Sequence, residues 1–272
     1  MKRRQFLTTA CAAGLAATSL RTVTATEPSG KPHFLDFRMI TFPDTQRLET
    51  MSKHNGEVLI PSMNKYGISP IGLFVADSAL NAKETAYDKK YDKVLFTLIP
   101  HSTLDSTQEL AEKMRSDTNY REATAALAQG TTSRNPLFTA NERMLLRCFP
   151  EFPEVKVPSL APNRFLQLRM YRSHSFDRNR AKINQYVAQN GAISLFAECG
   201  FKPVFFSTTL YGTFMPSIIF AFSFESEEQK NDAWAKFVSH PGWRRLSTDP
   251  AYADTATEII NVYLKPCKGS QI

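Results

Sequence analysis

The sequence predicts an α+β protein made of two tandem ferredoxin-like β-α-β-β-α-β modules that pack sheet to sheet within one chain. Three observations carry that expectation. Phe34-Leu35-Asp36-Phe37-Arg38-Met39 returns as Phe165-Leu166-Gln167-Leu168-Arg169-Met170. A helical pattern with a glycine-led exit follows each of these segments. A proline-bearing stretch, residues 151–163, separates the two occurrences.

Both hexapeptides alternate like half-buried strands, with Leu35, Phe37 and Met39 on one face and Asp36 and Arg38 on the other. Gln167 and Arg169 occupy the corresponding polar face in the second segment. Leu48, Met51, Asn55, Val58, Leu59 and Met63 then recur at helical spacing, as do Ile183, Tyr186, Val187 and Ile193. Gly67 with Pro70, and Gly200 with Pro203, read as helix stops. Paired apolar strands follow at Ile71 to Val75 and Val94 to Ile99, matched by Val204 to Ser207 and Ile218 to Phe224.

A second amphipathic helix comes next in each unit. Leu110 and Met114 mark its apolar face in the first, Trp234, Phe237 and Val238 in the second. Ser116-Asp117-Thr118-Asn119-Tyr120 corresponds to Ser239-His240-Pro241-Gly242-Trp243, and closing strands are expected at Arg143 to Phe149 and Glu258 to Leu264. The order is that of the ferredoxin-like module, a four-stranded sheet with helices on one face. The open face of one sheet needs a cover, and the other sheet supplies it. That arrangement points Asp36, Arg38, Gln167 and Arg169 into the space between the sheets. Module limits are expected at 32–150 and 164–266, with 151–163 as a semi-stiff linker.

Residues 1–26 read as an export signal of the twin-arginine type: Arg3 and Arg4 precede Phe6 and Leu7, an Ala/Thr/Leu-rich run follows, and a small-residue cleavage site falls near Ala25. An exported, periplasmic or otherwise extracytoplasmic protein is expected. The net charge of +7 owes much to this segment, which holds Lys2, Arg3, Arg4 and Arg21 and no acid. Its removal leaves 29 basic residues against 26 acidic ones. Such a balance, with no dense basic cluster, gives no reason to expect nucleic-acid binding. No interior run approaches the length needed to span a bilayer, so no integral membrane protein is expected.

Cys148, Cys199 and Cys267 remain after processing, without CxxC spacing; one disulfide or three free thiols are both open. Phosphate-binding glycine loops, HExxH and GxSxG are missing, and His33, His54, His101, His174 and His240 are scattered, so no metal site is expected.

The strand ending Asp36-Phe37-Arg38, the helix bearing His54, the Gly67 to Phe74 exit strand and the Trp243 motif resemble the NIPSNAP family of the dimeric α/β-barrel superfamily. That resemblance implies an intrachain barrel. The family's first strand carries an acid two residues before an arginine: Asp36 and Arg38 keep both charges, whereas Gln167 replaces the acid before Arg169. The family's helical histidine matches His54, with Gln189 as its second-unit counterpart. NIPSNAP proteins have no settled biochemical role. Related barrels include cofactor-free monooxygenases, haem-degrading enzymes and stress-response proteins, and fold alone does not choose among them.

His54 is the one candidate for chemistry, as a proton carrier near neutral pH or a haem ligand, against the alternative of an inert histidine at a core edge. Arg38 and Arg169 are candidates for holding an anion, with Asp36 and Gln167 beside them. Arg38 could equally pair with Asp36 or Glu258. The aromatic run from Phe201 through Phe224 could line a flat apolar cavity or simply be core. The reading leans away from catalysis. It favours a binding protein for a small molecule or protein partner, with no cofactor, and leaves room for homo-oligomers; a cofactor-free or haem-dependent monooxygenase is the alternative.

Overall fold

The computed structural model describes residues 31–272; the expected export signal lies outside them. Strand β1 (Phe34–Thr41) leads into helix α1 (Thr45–His54), which continues through a π turn at Asn55–Leu59 into α2 (Ile60–Lys65). Asp44 starts α1 by accepting the Arg47 backbone N–H at 2.8 Å. Pro61 has no N–H to return to the preceding turn, and the helix widens just before it. The buried stripe is therefore Leu48, Met51, Asn55, Leu59 and Met63, and Val58 is only half-buried.

Strand β2 (Gly72–Ala76), the short α3 (Ser78–Asn81), β3 (Val94–His101), α4 (Asp105–Ser116), α5 (Thr118–Leu127) and β4 (Ala140–Cys148) complete the first half. The second half runs β5 (Phe165–Arg172), α6 (Phe176–Val187), α7 (Ala192–Glu198), β6 (Lys202–Tyr211), β7 (Ser217–Phe224), α8 (Glu227–Ser239), α9 (Pro241–Thr248) and β8 (Glu258–Pro266). Each half therefore has one helix more before its last strand than the expected order. The motifs around Asp117 and His240 begin those helices: Asp117 accepts the Tyr120 N–H at 3.0 Å, and His240 Nδ1 accepts the Gly242 N–H at 3.0 Å.

The eight strands close into an antiparallel barrel in the order β1-β3-β2-β8-β5-β7-β6-β4. Within each half the sheet is fully paired; β1 matches β3 over eight residues, from Phe34↔His101 to Thr41↔Val94. Two shorter seams join the halves. The β2–β8 seam has three pairs, and the β4–β6 seam has four with an irregularity between Leu145 and Leu146. The expected sheet-to-sheet packing is thus a closed barrel with hydrogen-bonded edges.

Closure reverses the expected facing of the first-strand residues. An eight-stranded barrel has an interior just wide enough for side chains. Leu35, Phe37, Met39, Leu166, Leu168 and Met170 fill it, together with Phe96, Met144, Val204 and Val262. Asp36, Arg38, Gln167 and Arg169 consequently point outward, toward the helices and not between the sheets. The apolar face of each strand is the one with no other place to go, and charges inside a filled barrel would lose their water without room for partners.

The helices cover the outside of the barrel in two layers. In the first half Leu48, Met51, Met63, Leu110 and Met114 pack on Leu73, Leu95 and Ile99. In the second, Tyr186, Phe196, Phe237 and Leu246 pack on Phe206, Phe220, Phe222 and Phe224. The phenylalanines of the aromatic run are core, and Phe201 meets Trp234 edge-on at 4.9 Å while Phe196 stacks on Phe237 at 4.2 Å between centroids. Val238 is exposed, contrary to its expected place on the apolar face. Tyr211, also from the aromatic run, is exposed as well.

Residues 151–163 are laid against the barrel. Val155 enters its core, the His33 N–H donates to the Pro153 carbonyl at 2.7 Å, and the Lys156 N–H donates to the Val204 carbonyl at 2.8 Å. Cys148, Cys199 and Cys267 are free thiols in or beside three different apolar clusters. Among the described residues no helix is long and apolar enough to cross a membrane.

Candidate functional site

A sheet face covered by helices is ordinarily apolar. The outer face of the first half breaks that pattern at Asp36 and Arg38 on β1 and at Arg143, which lies directly opposite Arg38 on β4. Asp36 is 5% exposed. Its carboxylate accepts from Arg38 Nε at 2.9 Å and Nη2 at 2.6 Å, from Arg143 Nε at 3.2 Å, and from Arg143 Nη2. Burial pushes the Asp36 carboxyl up, but the two guanidinium groups outweigh it and hold the acid below the usual carboxylate range. One carboxylate thus serves two arginines, and the trio carries a net positive charge. Glu258, the other acid considered for Arg38, pairs with Arg172 at 3.1 Å.

Above this trio α4 and α5 stand off the sheet and leave a cavity of about 720 Å³. Its sheet-side wall is Asp36, Arg38, Arg143 and His101; its helix-side wall includes Met63, Leu110, Ala111, Met114 and Ala125. Arg115, Arg121 and Glu122 also line it, so four arginines face two carboxylates. His101 sits on the outward face of β3, 2% exposed, with Nδ1 3.0 Å from Ser106 Oγ. Burial lowers its pKa to about 4; Asp36 opposes the shift, and Arg38 and Arg143 add to it. The imidazole is neutral at physiological pH.

His54 lies next to this cavity but is not part of its lining. Its Nε2 is 3.3 Å from Thr124 Oγ1, and its ring is 6.5 Å from that of Tyr120, two residues that do line it. Burial lowers the His54 pKa. Ten residues after the helix N-caps Asp44 and Ser175 stand His54 and Gln185 respectively, so the second-half counterpart of His54 is Gln185. Gln189 falls after α6 has ended at Val187. Gln185 is buried, donating to the Leu246 carbonyl at 3.1 Å and accepting from Lys182 at 2.9 Å.

Gln167 and Arg169 are brought together, but away from Asp36 and Arg38: β1 and β5 are four strands apart in a ring of eight, hence diametrically opposed. Gln167 Oε1 accepts from Trp234 Nε1 at 2.7 Å, and Arg169 lies 4.9 Å from the Trp234 ring centre and donates to Tyr171 Oη at 2.8 Å. Counted back from Ser116 and Ser239 in their matching motifs, Ala111 holds the place of Trp234. A methyl group where the other half has an indole leaves the first layer open and the second plugged.

Arg143 began an expected strand, whereas His101 lies two residues beyond the expected end of its strand at Ile99; β3 continues to His101, and alternation with the barrel-facing residues was the one signal that could have aimed either at Asp36. Cross-strand register, which puts Arg143 beside Arg38, is not readable from one strand at a time. Among the described residues no three His, Cys, Asp or Glu side chains gather as a metal site.

Residues 166–271 match the NIPSNAP family model. No curated protein matches the chain. Among solved structures, a candidate monooxygenase from Lactobacillus acidophilus NCFM aligns with a TM-score of 0.53 at 12% identity, covering 88% of this chain and 98% of that one. A second candidate monooxygenase, from Fusobacterium nucleatum, aligns with a TM-score of 0.53 at 11% identity, covering 88% and 94%. At these identities the likeness is one of fold: an α+β protein with a closed antiparallel barrel.

Proposed function

We propose that this chain, whose residues 166–271 carry the NIPSNAP pattern, binds a small anionic organic molecule in the cavity between β1, β4 and the α4–α5 pair. The observation that carries this reading is the mismatch of its two walls: paired arginines on the sheet and apolar side chains on the helices, with none of the described residues filling the space between. Ligand pockets of this size are mostly apolar with a few placed polar groups. The barrel interior, by contrast, is occupied by its own core, so the outer cavity is the better candidate.

On this proposal the two halves are ferredoxin-like modules related by duplication, each with the strand order 4-1-3-2 inside the ring. On that view one module kept an open ligand site and the other closed its own with Trp234. Export remains part of the proposal, resting on the segment from Lys2 to Ala25. N-terminal sequencing of the protein recovered from the periplasm tests it, and an intact Met1 there would count against it.

The monooxygenase alternative finds less support. Arg38 and Arg169, its arginine pair, occupy opposite sides of the barrel, and His54 does not line the cavity. Haem finds little support too, because the lining histidine, His101, is 2% exposed and offers little of its ring to an iron. A purely binding role needs neither.

Titration with an environment-sensitive anionic naphthalene dye tests the site. Fluorescence should rise with the native protein and stay flat with Ala111→Trp, which gives the first layer the plug of the second. Equal binding by a folded Ala111→Trp variant would move the site elsewhere. Native mass spectrometry of the purified protein is the companion measurement, since a reproducible extra mass would identify the occupant.

A further inference from the structure

We infer that the molecule held in this cavity is an amphipathic monocarboxylate, its head group taken by Arg143 and Arg38 and its apolar tail by Met63, Leu110 and Met114. The inference rests on the binding role proposed above and adds the chemical class of the ligand.

Charge selects the head group. Asp36 neutralises one of the two guanidinium groups that it binds, leaving a single positive charge at the sheet-side wall. Arg115, Arg121 and Glu122 add one further positive charge to the lining, but all three are exposed and screened by water, so a monoanion completes the balance at the buried trio. A dianion would put surplus negative charge next to a carboxylate that is itself 5% exposed and has little water to screen it. His101 does not alter the count, since it is neutral there.

Hydrogen-bond geometry agrees. Arg38 and Arg143 each give Nε and Nη2 to Asp36, and among the described residues neither Nη1 has a protein acceptor. The two donors sit on directly opposed residues of neighbouring strands. Asp36 already shows how a planar carboxylate meets this pair, and planar forks match carboxylates better than they match a compact polar neutral group. The arginines also differ in freedom. The Arg143 side chain is 57% exposed and that of Arg38 22%, so Arg143 is free to turn to an incoming ligand while Arg38 stays moored. Asp36 is the positioning residue for both.

The tail follows from the opposite wall. Met63, Leu110 and Met114 are almost completely buried, yet they border the cavity. Two methionines give that wall an adaptable surface, suited to a flexible chain more than to one rigid shape.

Isothermal titration of the native protein with octanoate, octanol, acetate and octyl phosphate separates these statements. Octanoate is expected to bind about tenfold or more tightly than octanol, through the charge-assisted hydrogen bonds. Acetate, lacking the tail, should bind far more weakly than octanoate, and octyl phosphate should not exceed octanoate. Arg143→Met should bring octanoate down to the affinity of octanol, and Arg143→Lys, which keeps the charge but loses the fork, should recover only part of the difference. Equal binding of octanoate and octanol would overturn the carboxylate inference while leaving the cavity as a site. Tighter binding of octyl phosphate would overturn it in favour of a phosphate. Failure of every probe, together with dye binding that Ala111→Trp does not change, would instead remove the binding role itself.

Discussion

Asp36 shows how much one buried side chain organises. Without its carboxylate, Arg38 and Arg143 would face each other across neighbouring strands as like charges. Asp36→Asn is therefore expected to cost about 3 kcal/mol of folding stability, the scale of breaking a buried ion pair, measured by urea unfolding at pH 7. The folded-state pKa lies below the unfolded one, so this stability is present above the ordinary carboxylate range and is lost as the pH falls through the lowered value. The gap between native and variant protein should shrink accordingly on acidification from about pH 4; a gap that does not change with pH would contradict this. Lys182 is the reverse case. Burial, with help from the Arg169 charge, lowers its pKa to about 8, and its nearest partners are Gln185 and the rings of Tyr171 and Tyr186. A base whose folded pKa is depressed destabilises the fold until it loses its proton. Stability should rise between pH 8 and pH 10.5 by roughly 3 kcal/mol, at about 1.4 kcal/mol per unit. Lys182→Met should be the more stable protein at pH 7 and should lack that rise; an unchanged pH profile would show the lysine to be solvated.

At the level of elements, the widened turn between α1 and α2 and the segment after β8 are built against each other. A Cβ on Gly56 would lie 2.1 Å from the Lys268 carbonyl oxygen, and the Gly269 Cα is also close. The Gly56→Ala substitution places a methyl group where backbone already sits, so the widened turn or residues 267–269 must shift. A loss of about 1–3 kcal/mol is expected, read as a lower thermal midpoint. Full retention of stability would mean that this contact is loose. The same segment seals one side of β2: the Cys267 N–H donates to the Leu73 carbonyl, and the Leu73 N–H donates to Ser270 Oγ at 3.0 Å. The α4–α5 pair works differently. It is held by Leu110 and Met114 below and by Asp117 at the corner, where Lys65 and Tyr66 meet the same carboxylate at 3.1 and 2.9 Å. These contacts anchor the corner of the pair, and the small side chains of Ala111 and Ala125 beside it leave room for a ligand.

For the whole molecule, closure depends on the two seams. The long ladders β1–β3, β1–β4 and β5–β7 each pair eight residues, whereas β2–β8 pairs three and one of its six residues is Pro266, which has no N–H to give. Local opening should begin there. Hydrogen exchange is expected to release amides of β2 before those of β1; equal protection of both strands would show that the barrel opens only as a unit.

Periodicity alone determined the strand faces, most of the helix faces, the order of the principal elements and the oily and polar sides of β1 and β5. These are local properties, set by whether successive side chains repeat every two residues or every three to four. Asp36 and Arg38 were legible as a polar pair for the same reason. Periodicity does not say which side of a sheet becomes the inside. Ring closure decided that, because an eight-stranded interior admits only what fills it, and this turned Asp36, Arg38, Gln167 and Arg169 toward the helices. Register and packing decided the rest: Arg143 joined Asp36 across strands, His101 entered the cavity wall while His54 stayed beside it, and Ala111 left open what Trp234 closes on the far side. Each of those outcomes depends on residues distant in sequence meeting in space, and that proximity exists only once the barrel has closed.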